Sequence, residues 1–373
     1  MLYTPVPTIP AVELLRVLLC ALREPEEQRT RFREMVRAYV GTNTVQDFCC
    51  ARAALEHLFR CTGVKKLVMP AFICSELGEL LVRLNIKPVF ADIELETLNL
   101  SPESLQEVLD RRTDAVLAVH AFGNPCELSA ISELVSDAKA ILVEDCAHAL
   151  GARYRGMPAG SFGDFSVFSM YKLLPTSAGG FLCSKQVLEE PREAGAPGVQ
   201  LLRLAYVTRE LHPLLLRLKR KSTSGSGYSM RRCSVLDLSI FNRLFPRIEE
   251  LTLRRRRFAE ALAKELGNYR LQRVLRDARP SWQSFAVLLP EDCSSGAVAA
   301  HLLKRGVVAH RTWHDALILQ PEIQRRFGVS ARSYPATLEA SRRIITLPVQ
   351  PGYTSEDARL IAEAFESAVS SAC

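Results

Sequence analysis

The sequence predicts an α/β protein, with a large lobe built on a mostly parallel sheet between helices and a smaller C-terminal α/β lobe. Three observations predict it. Short apolar runs bounded by Gly and Pro recur through the first half of the chain, and helical periodicity fills the stretches between them. Such runs read as buried strands, and their alternation with helices gives a parallel sheet covered on both faces. The chain has 373 residues, 48% hydrophobic and 24% charged, which is enough to bury a core in two packed lobes. Finally, one acid, Asp145, and one lysine, Lys172, each stand where an apolar run stops, and ligands of α/β sheets gather at strand ends.

Residues 1–40 are expected to form an N-terminal helical segment. Pro5, Pro7 and Pro10 lead into a helix with apolar positions at Val12, Leu15, Val17, Leu18 and Leu19, and a charged helix runs from about Glu24 to Tyr39. Residues 41–240 are expected to form the large domain. After Phe48-Cys49-Cys50-Ala51-Arg52 comes a helix with Leu55, Leu58 and Phe59 on one face. A helix start presents unpaired N–H groups and a positive dipole end, a place for phosphate, although a plain helix start reads the same. Residues 67–72, 86–92 and 115–122 read as strands with their turns. Ser101 is an apt N-cap and Pro102 an apt first residue for a helix reaching about Arg111. A helix covers 130–138, and the runs 141–143, 165–170 and 181–183 are the central strands. Residues 199–221 read as leucine-rich amphipathic helices interrupted by Pro213, and 222–227 as a flexible loop. Residues 241–373 are expected to hold a connecting helix and the small domain. The connecting helix spans Phe241 to Leu266, with Arg254 to Arg257 on a solvated flank. Strands at 284–289, 307–308 and 344–348, a helix near 297–305 and a closing helix from Ser355 to Val369 complete the chain.

A buried carboxylate and a buried lysine at strand ends suit one chemistry. Pyridoxal 5'-phosphate needs a lysine to condense with its aldehyde and a carboxylate to keep its ring nitrogen protonated. An apolar setting favours the neutral amine, and Phe168, Met170, Tyr171 and Leu173 supply one around Lys172. Ser169 offers a hydroxyl for the phosphate. His120, at the end of a strand, reads either as a catalytic base or as a hydrogen-bonded core histidine. His148, three residues past Asp145, reads as a contact to the cofactor ring or as a satisfied core histidine. His310 and His314 have helical metal-ligand spacing, but no Glu follows His310 and no third ligand stands nearby, so no metal is expected.

The central stretch resembles a known family. Val143-Glu144-Asp145-Cys146-Ala147-His148-Ala149-Leu150-Gly151, then Gly160-Ser161-Phe162-Gly163-Asp164, Phe168-Ser169, Lys172 and Gly179-Gly180 are similar to the signature of the DegT/StrS sugar aminotransferases, enzymes of fold type I that use pyridoxal 5'-phosphate. The resemblance covers residues 45–185 closely and the remainder loosely. It implies that Lys172 and Asp145 are catalytic, and that His148, Ser169, Ala51 and Arg52 hold the cofactor, the last two mainly through their backbones. It implies weak substrate contacts from Arg232, His310 and Trp313. It also implies a homodimer with shared active sites, an amino acid donor such as glutamate and a keto-sugar acceptor, nucleotide-linked, in polysaccharide or amino-sugar biosynthesis. Relatives with histidine in place of the lysine are dehydratases, so Lys172 argues for transamination. Two departures stand out. Cys74 occupies a position where the family often has an aromatic residue, and Met230-Arg231-Arg232-Cys233 replaces its N-Y-R-M, so the Asn is missing.

The net charge of +7 suits an anionic small substrate better than nucleic acid, since no basic patch is studded with aromatics. The 11 cysteines are scattered without C-x-x-C pairs and read as free thiols of a cytoplasmic protein. No apolar segment reaches the roughly 18 residues of a membrane span, and no secretory leader is expected around residues 12–22. Three other readings stay open: another pyridoxal-phosphate enzyme of this fold, a non-catalytic regulator that kept it, and a peripheral membrane scaffold using residues 199–221.

Overall fold

The computed structural model describes residues 3–21, 25–191, 207–208 and 231–373. The segments 199–221 and 222–227 lie outside the described residues, apart from 207–208. The chain opens with helices α1 (Ala11–Ala21) and α2 (Pro25–Val40). Nine strands follow: β1 (Thr44–Phe48), β2 (Lys66–Pro70), β3 (Lys87–Ala91), β4 (Ala115–Val119), β5 (Ile141–Cys146), β6 (Arg153–Tyr154), β7 (Met157–Pro158), β8 (Phe165–Ser169) and β9 (Gly180–Ser184). Seven of them form one sheet in the order β1-β9-β8-β5-β4-β2-β3. Strands β3, β2, β4, β5 and β8 run parallel, and β9 alone is reversed, pairing antiparallel with β8 on one side and with β1 on the other. Asp145 pairs in register with Val167, so β5 and β8 end level, and the turn after β8 carries Lys172 to the same edge as Asp145.

Every residue of β4 and β8 is buried, as a strand covered on both faces requires. On one face lie α3 (Ala51–Thr62) and α4 (Leu77–Leu84), packing Leu55, Leu58 and Leu80 against Met69, Leu117 and Val167. On the other lie α5 (Pro102–Val108) and α6 (Leu128–Ala138), where Leu105 and Ile131 meet Val68, Val116 and Leu142. The antiparallel end is covered by α2 and α7 (Val235–Leu244). There Phe32 and Phe241 enclose a stacked pair, Phe168 and Phe181, with centroids 4.6 Å apart.

Ser101 caps α5 by accepting from the Ser104 amide, but the helix stops at Val108, short of Arg111. Asp110 ends it by collecting the Arg112 amide and the Thr113 hydroxyl, a local alternative to helical bonding. The connecting helix is two helices. Pro246, which has no N–H to donate, lies in a tight turn (Phe245–Arg247) between α7 and α8 (Ile248–Glu265). Nor is the arginine run a solvated flank throughout. Arg255 is fully buried, and its guanidinium donates to the carbonyls of Val349 (2.8 Å), Trp282 (3.2 Å) and Leu173 (3.5 Å). In α1 only Val17 of the five apolar positions is buried; Val12, Leu15, Leu18 and Leu19 are exposed.

The second half builds β10 (Arg270–Leu271), β11 (Ala278–Arg279), β12 (Ser284–Leu288) and β13 (Ile344–Pro348). Strands β10-β12-β13 form an antiparallel sheet, and β11 joins β6 and β7. Helix α8, a helix at Ser295–Lys304 and the final helix, Ser355–Ala372, cover the antiparallel sheet through Phe258, Leu302 and Phe365. Val307 makes a single bridge to Tyr3 instead of a strand. Not all cysteines are free: Cys293 and Cys373 form a disulfide with Cα atoms 4.6 Å apart. The last helix carries Cys373 back to the turn that precedes the Ser295–Lys304 helix, a proximity hidden by 80 residues of sequence. No helix among the described residues is long and apolar enough to cross a membrane.

Candidate active site

At the shared edge of β4, β5 and β8 lies a solvent-open cavity. Asp145, His148, Ser169, Lys172, Ala51, Arg52 and Trp313 all line it. Each arrives by a different route. Asp145 is near the end of β5, Ser169 is the last residue of β8 and Lys172 stands in the turn beyond it. Ala51 and Arg52 open α3, and Trp313 comes from the second half of the chain, where it packs edge-on against Phe72.

The Asp145 carboxyl accepts one backbone N–H, from Ala147 at 2.9 Å. Burial pushes its pKa above the usual carboxylate range, while that N–H and the Lys172 charge work in the opposite direction. Across the cavity the Lys172 Nζ lies 2.6 Å from His148 Nε2. His148 Nδ1 accepts the Phe122 amide at 3.3 Å. That bond leaves the proton of a neutral ring on Nε2, which can donate to the lysine nitrogen when Lys172 is the neutral amine. Burial, and then the Lys172 charge, hold His148 well below the ordinary histidine pKa, so the ring stays neutral near pH 7. Trp313 stacks on the imidazole at 5.4 Å with planes 13° apart, and Phe122 packs beside both. Phe122 and Trp313 sit at φ of 59° and 61°, a left-handed conformation that bulky residues rarely hold.

Opposite this wall is a polar cup. The first turn of α3 faces the cavity at Ala51, and Gly180 presses against it from β9. A Cβ on Gly180 would stand 2.4 Å from the Ala51 nitrogen. Gly179 has φ 108°, and a Cβ there would meet Met170 Sδ at 2.7 Å. Only glycines allow this strand to hug the helix start. Ser169 Oγ is buried on the cavity wall without a hydrogen-bond partner. An orphaned buried hydroxyl beside the positive dipole end of a helix start suits an oxyanion. These residues fit pyridoxal 5'-phosphate: Lys172 for the aldehyde, Asp145 for the ring nitrogen, and Ser169 with the α3 turn for the phosphate.

Arg232 and His310 do not line the cavity. Arg232 pairs with Glu190 at 3.3 Å, and His310 bridges Thr346 through its backbone. His120 lies at the cavity edge but turns inward, with Nε2 3.1 Å from Glu144 and Nδ1 accepting the Cys126 amide. His120, Glu144 and Cys146 are close enough to share an ion, yet all three are fully buried and Glu144 is already filled by backbone N–H groups. Sequence reasoning missed Glu76, which stands just before α4 and pairs with Arg52 at 3.3 Å on the cavity rim. The available signal was an acid closing the turn after Pro70. Tyr171, read only as apolar filling, is exposed at the mouth.

The model of the DegT/DnrJ/EryC1/StrS aminotransferase family matches residues 21–366. The spore coat polysaccharide biosynthesis protein SpsC of Bacillus subtilis is 24% identical over 361 residues, 92% of this chain and 90% of its own length. The GDP-perosamine synthase of Vibrio cholerae is 31% identical over 157 residues, 42% of each chain. Among solved structures, the pyridoxal-phosphate form of the sugar aminotransferase Spr1654 from Streptococcus pneumoniae superposes with a TM-score of 0.79 at 18% identity, covering 100% of this chain and 99% of that one.

Proposed function

Because this chain belongs to the DegT/DnrJ/EryC1/StrS aminotransferase family, whose members depend on pyridoxal 5'-phosphate, we propose that it moves an amino group from glutamate to a nucleotide-linked keto sugar. The observation that carries this reading is the convergence of Lys172, Asp145, His148 and the orphaned Ser169 on one cavity. When bound, the cofactor supplies an electron sink for the carbanion formed at the substrate carbon. Lys172 would hold the aldehyde carbon and, once displaced, would take the proton from the substrate carbon as general base and deliver it as acid to the cofactor's former aldehyde carbon. Asp145 keeps a proton on the ring nitrogen. Its raised pKa is the cost of burial, which a cationic ring nitrogen would offset. His148, neutral and clamped by Trp313, orients the lysine nitrogen. The two half-reactions share one site, so donor and acceptor bind in turn. A homodimer with shared sites, a cytoplasmic location and a role in polysaccharide or amino-sugar synthesis belong to the same proposal.

The test is an absorbance spectrum of the purified protein supplied with pyridoxal phosphate. A visible band that disappears in Lys172→Ala, and that glutamate bleaches in the wild type, supports the reading. A protein that takes up no cofactor overturns it and favours a non-catalytic regulator, to which the missing Asn and Cys74 already point.

A further inference from the structure

Two charged side chains on the cavity wall have no part in the roles above, the guanidinium of Arg52 and the carboxylate of Glu76. Arg52 Nη2 lies 3.3 Å from Glu76 Oε2, and the two side chains are 25% and 49% exposed. An ion pair this open adds little to stability, so its place at the mouth of a reactive cavity asks for another explanation. Arg52 and Lys172 are the Lys and Arg side chains among the described residues that line the cavity, and the chemistry occupies Lys172. Both reactants bring an oxyanion to this mouth. An amino acid donor carries an α-carboxylate, and a nucleotide-linked sugar carries phosphates. A planar guanidinium fork matches either one in bidentate fashion.

We propose that Arg52 and Glu76 form an exchangeable oxyanion clamp, in which the Glu76 carboxylate holds the guanidinium until a reactant's carboxylate or phosphate displaces it. Glu76 suits the part of placeholder. Its side chain is half in solvent, so release costs little desolvation, and it stands at the N-terminal end of α4, where the helix dipole favours the displaced charge. The turn beneath it is held in place, since the Ser75 hydroxyl donates to Asp315 at 3.1 Å. Exchange therefore needs side-chain rotation only. Because this inference rests on the aminotransferase reading, its test is separable from that reading.

The experiment compares wild type, Glu76→Gln, Arg52→Gln and Arg52→Lys, each loaded with pyridoxal phosphate. Cofactor affinity is titrated by absorbance, and calorimetry measures binding of two unreactive probes, succinate for a carboxylate and UDP for a phosphate. Glu76→Gln removes the competing charge and is expected to tighten one probe several-fold. Arg52→Gln is expected to weaken the same probe by about tenfold or more, with Arg52→Lys between, when both are measured at saturating cofactor. A response to succinate assigns the clamp to the donor's carboxylate, and a response to UDP assigns it to the acceptor's phosphate. If Glu76→Gln tightens neither probe, or if the Arg52 variants act only through cofactor affinity, the clamp is overturned. Protein that binds no cofactor refutes the enzymatic reading instead. Protein that binds it and is bleached by glutamate, yet shows no tightening in Glu76→Gln, refutes the clamp alone.

Discussion

Glu144 and Asp145 are neighbours on one strand with opposite surroundings. Glu144 accepts the amides of Phe162 and Gly163 on one oxygen, at 2.8 and 2.7 Å, and that of Gly160 with the His120 ring on the other, at 2.8 and 3.1 Å. Asp145 has one backbone N–H and an open cavity. Strand alternation sends the two side chains to opposite faces of the sheet. The saturated acid shapes the loop that follows β7, and the unsaturated one keeps its second oxygen available for chemistry. Acidity alone therefore does not mark a catalytic residue; an unfilled hydrogen-bonding capacity does.

The same amide substitution at both positions is the strongest way to break this comparison. Asp145→Asn is expected to lower turnover by about 10²–10⁴-fold, the scale of a lost proton-holding group. Its unfolding free energy should not fall below that of wild type in urea titration, because burial already disfavours the charged carboxylate. Glu144→Gln is expected to do the reverse in stability and cost about 3–5 kcal/mol, because its NH₂ would face amides that now find an acceptor. If both variants lose stability equally, the division between them fails. Gly180→Ala sharpens the picture on the cofactor side. The crowding at Ala51 is expected to cost about 1–3 kcal/mol in thermal unfolding and to weaken uptake of pyridoxal phosphate in an absorbance titration.

The smallest expected effect is on pH dependence. The pKa of His148 is depressed in the fold, so below about 6.5, its ordinary value, the unfolded chain binds the extra proton. Its contribution to stability is therefore complete above that pH and is lost as pH falls, by up to about 1.4 kcal/mol per pH unit. His148→Gln is expected to remove this slope between pH 6.5 and 5 in denaturant midpoints measured against wild type. An unchanged slope would mean that the imidazole is not held neutral.

Lys172, Asp145, His148 and Ser169 were legible because each sits at or just past the end of an apolar run, where a local pattern and its chemistry coincide. The resemblance pointed to the same residues. Distant partners left no such mark. A run of four arginines looks the same whether Arg255 faces water or, as here, ties the carbonyl after Lys172 to those of Trp282 and Val349. The pairing of Arg52 with Glu76 and the bond between Cys293 and Cys373 join segments that only the folded sheet brings together. The break at Pro246 is a different case. The residue that causes it was in plain view, and helical periodicity on both sides hid it. In α1, the apolar spacing does not mark a buried face, since most of those side chains stand in solvent.

The aromatic wall also has an optical consequence. The chain holds only two tryptophans, and one of them, Trp313, lies flat against His148 within the cavity lining. The other, Trp282, is buried against Phe285 in the second half of the chain. Trp282→Phe would leave a single tryptophan, in contact with the reactive centre. Pyridoxal compounds absorb where tryptophan emits, so energy transfer would quench it on loading. The protein would then report occupancy through its own light, with no label attached.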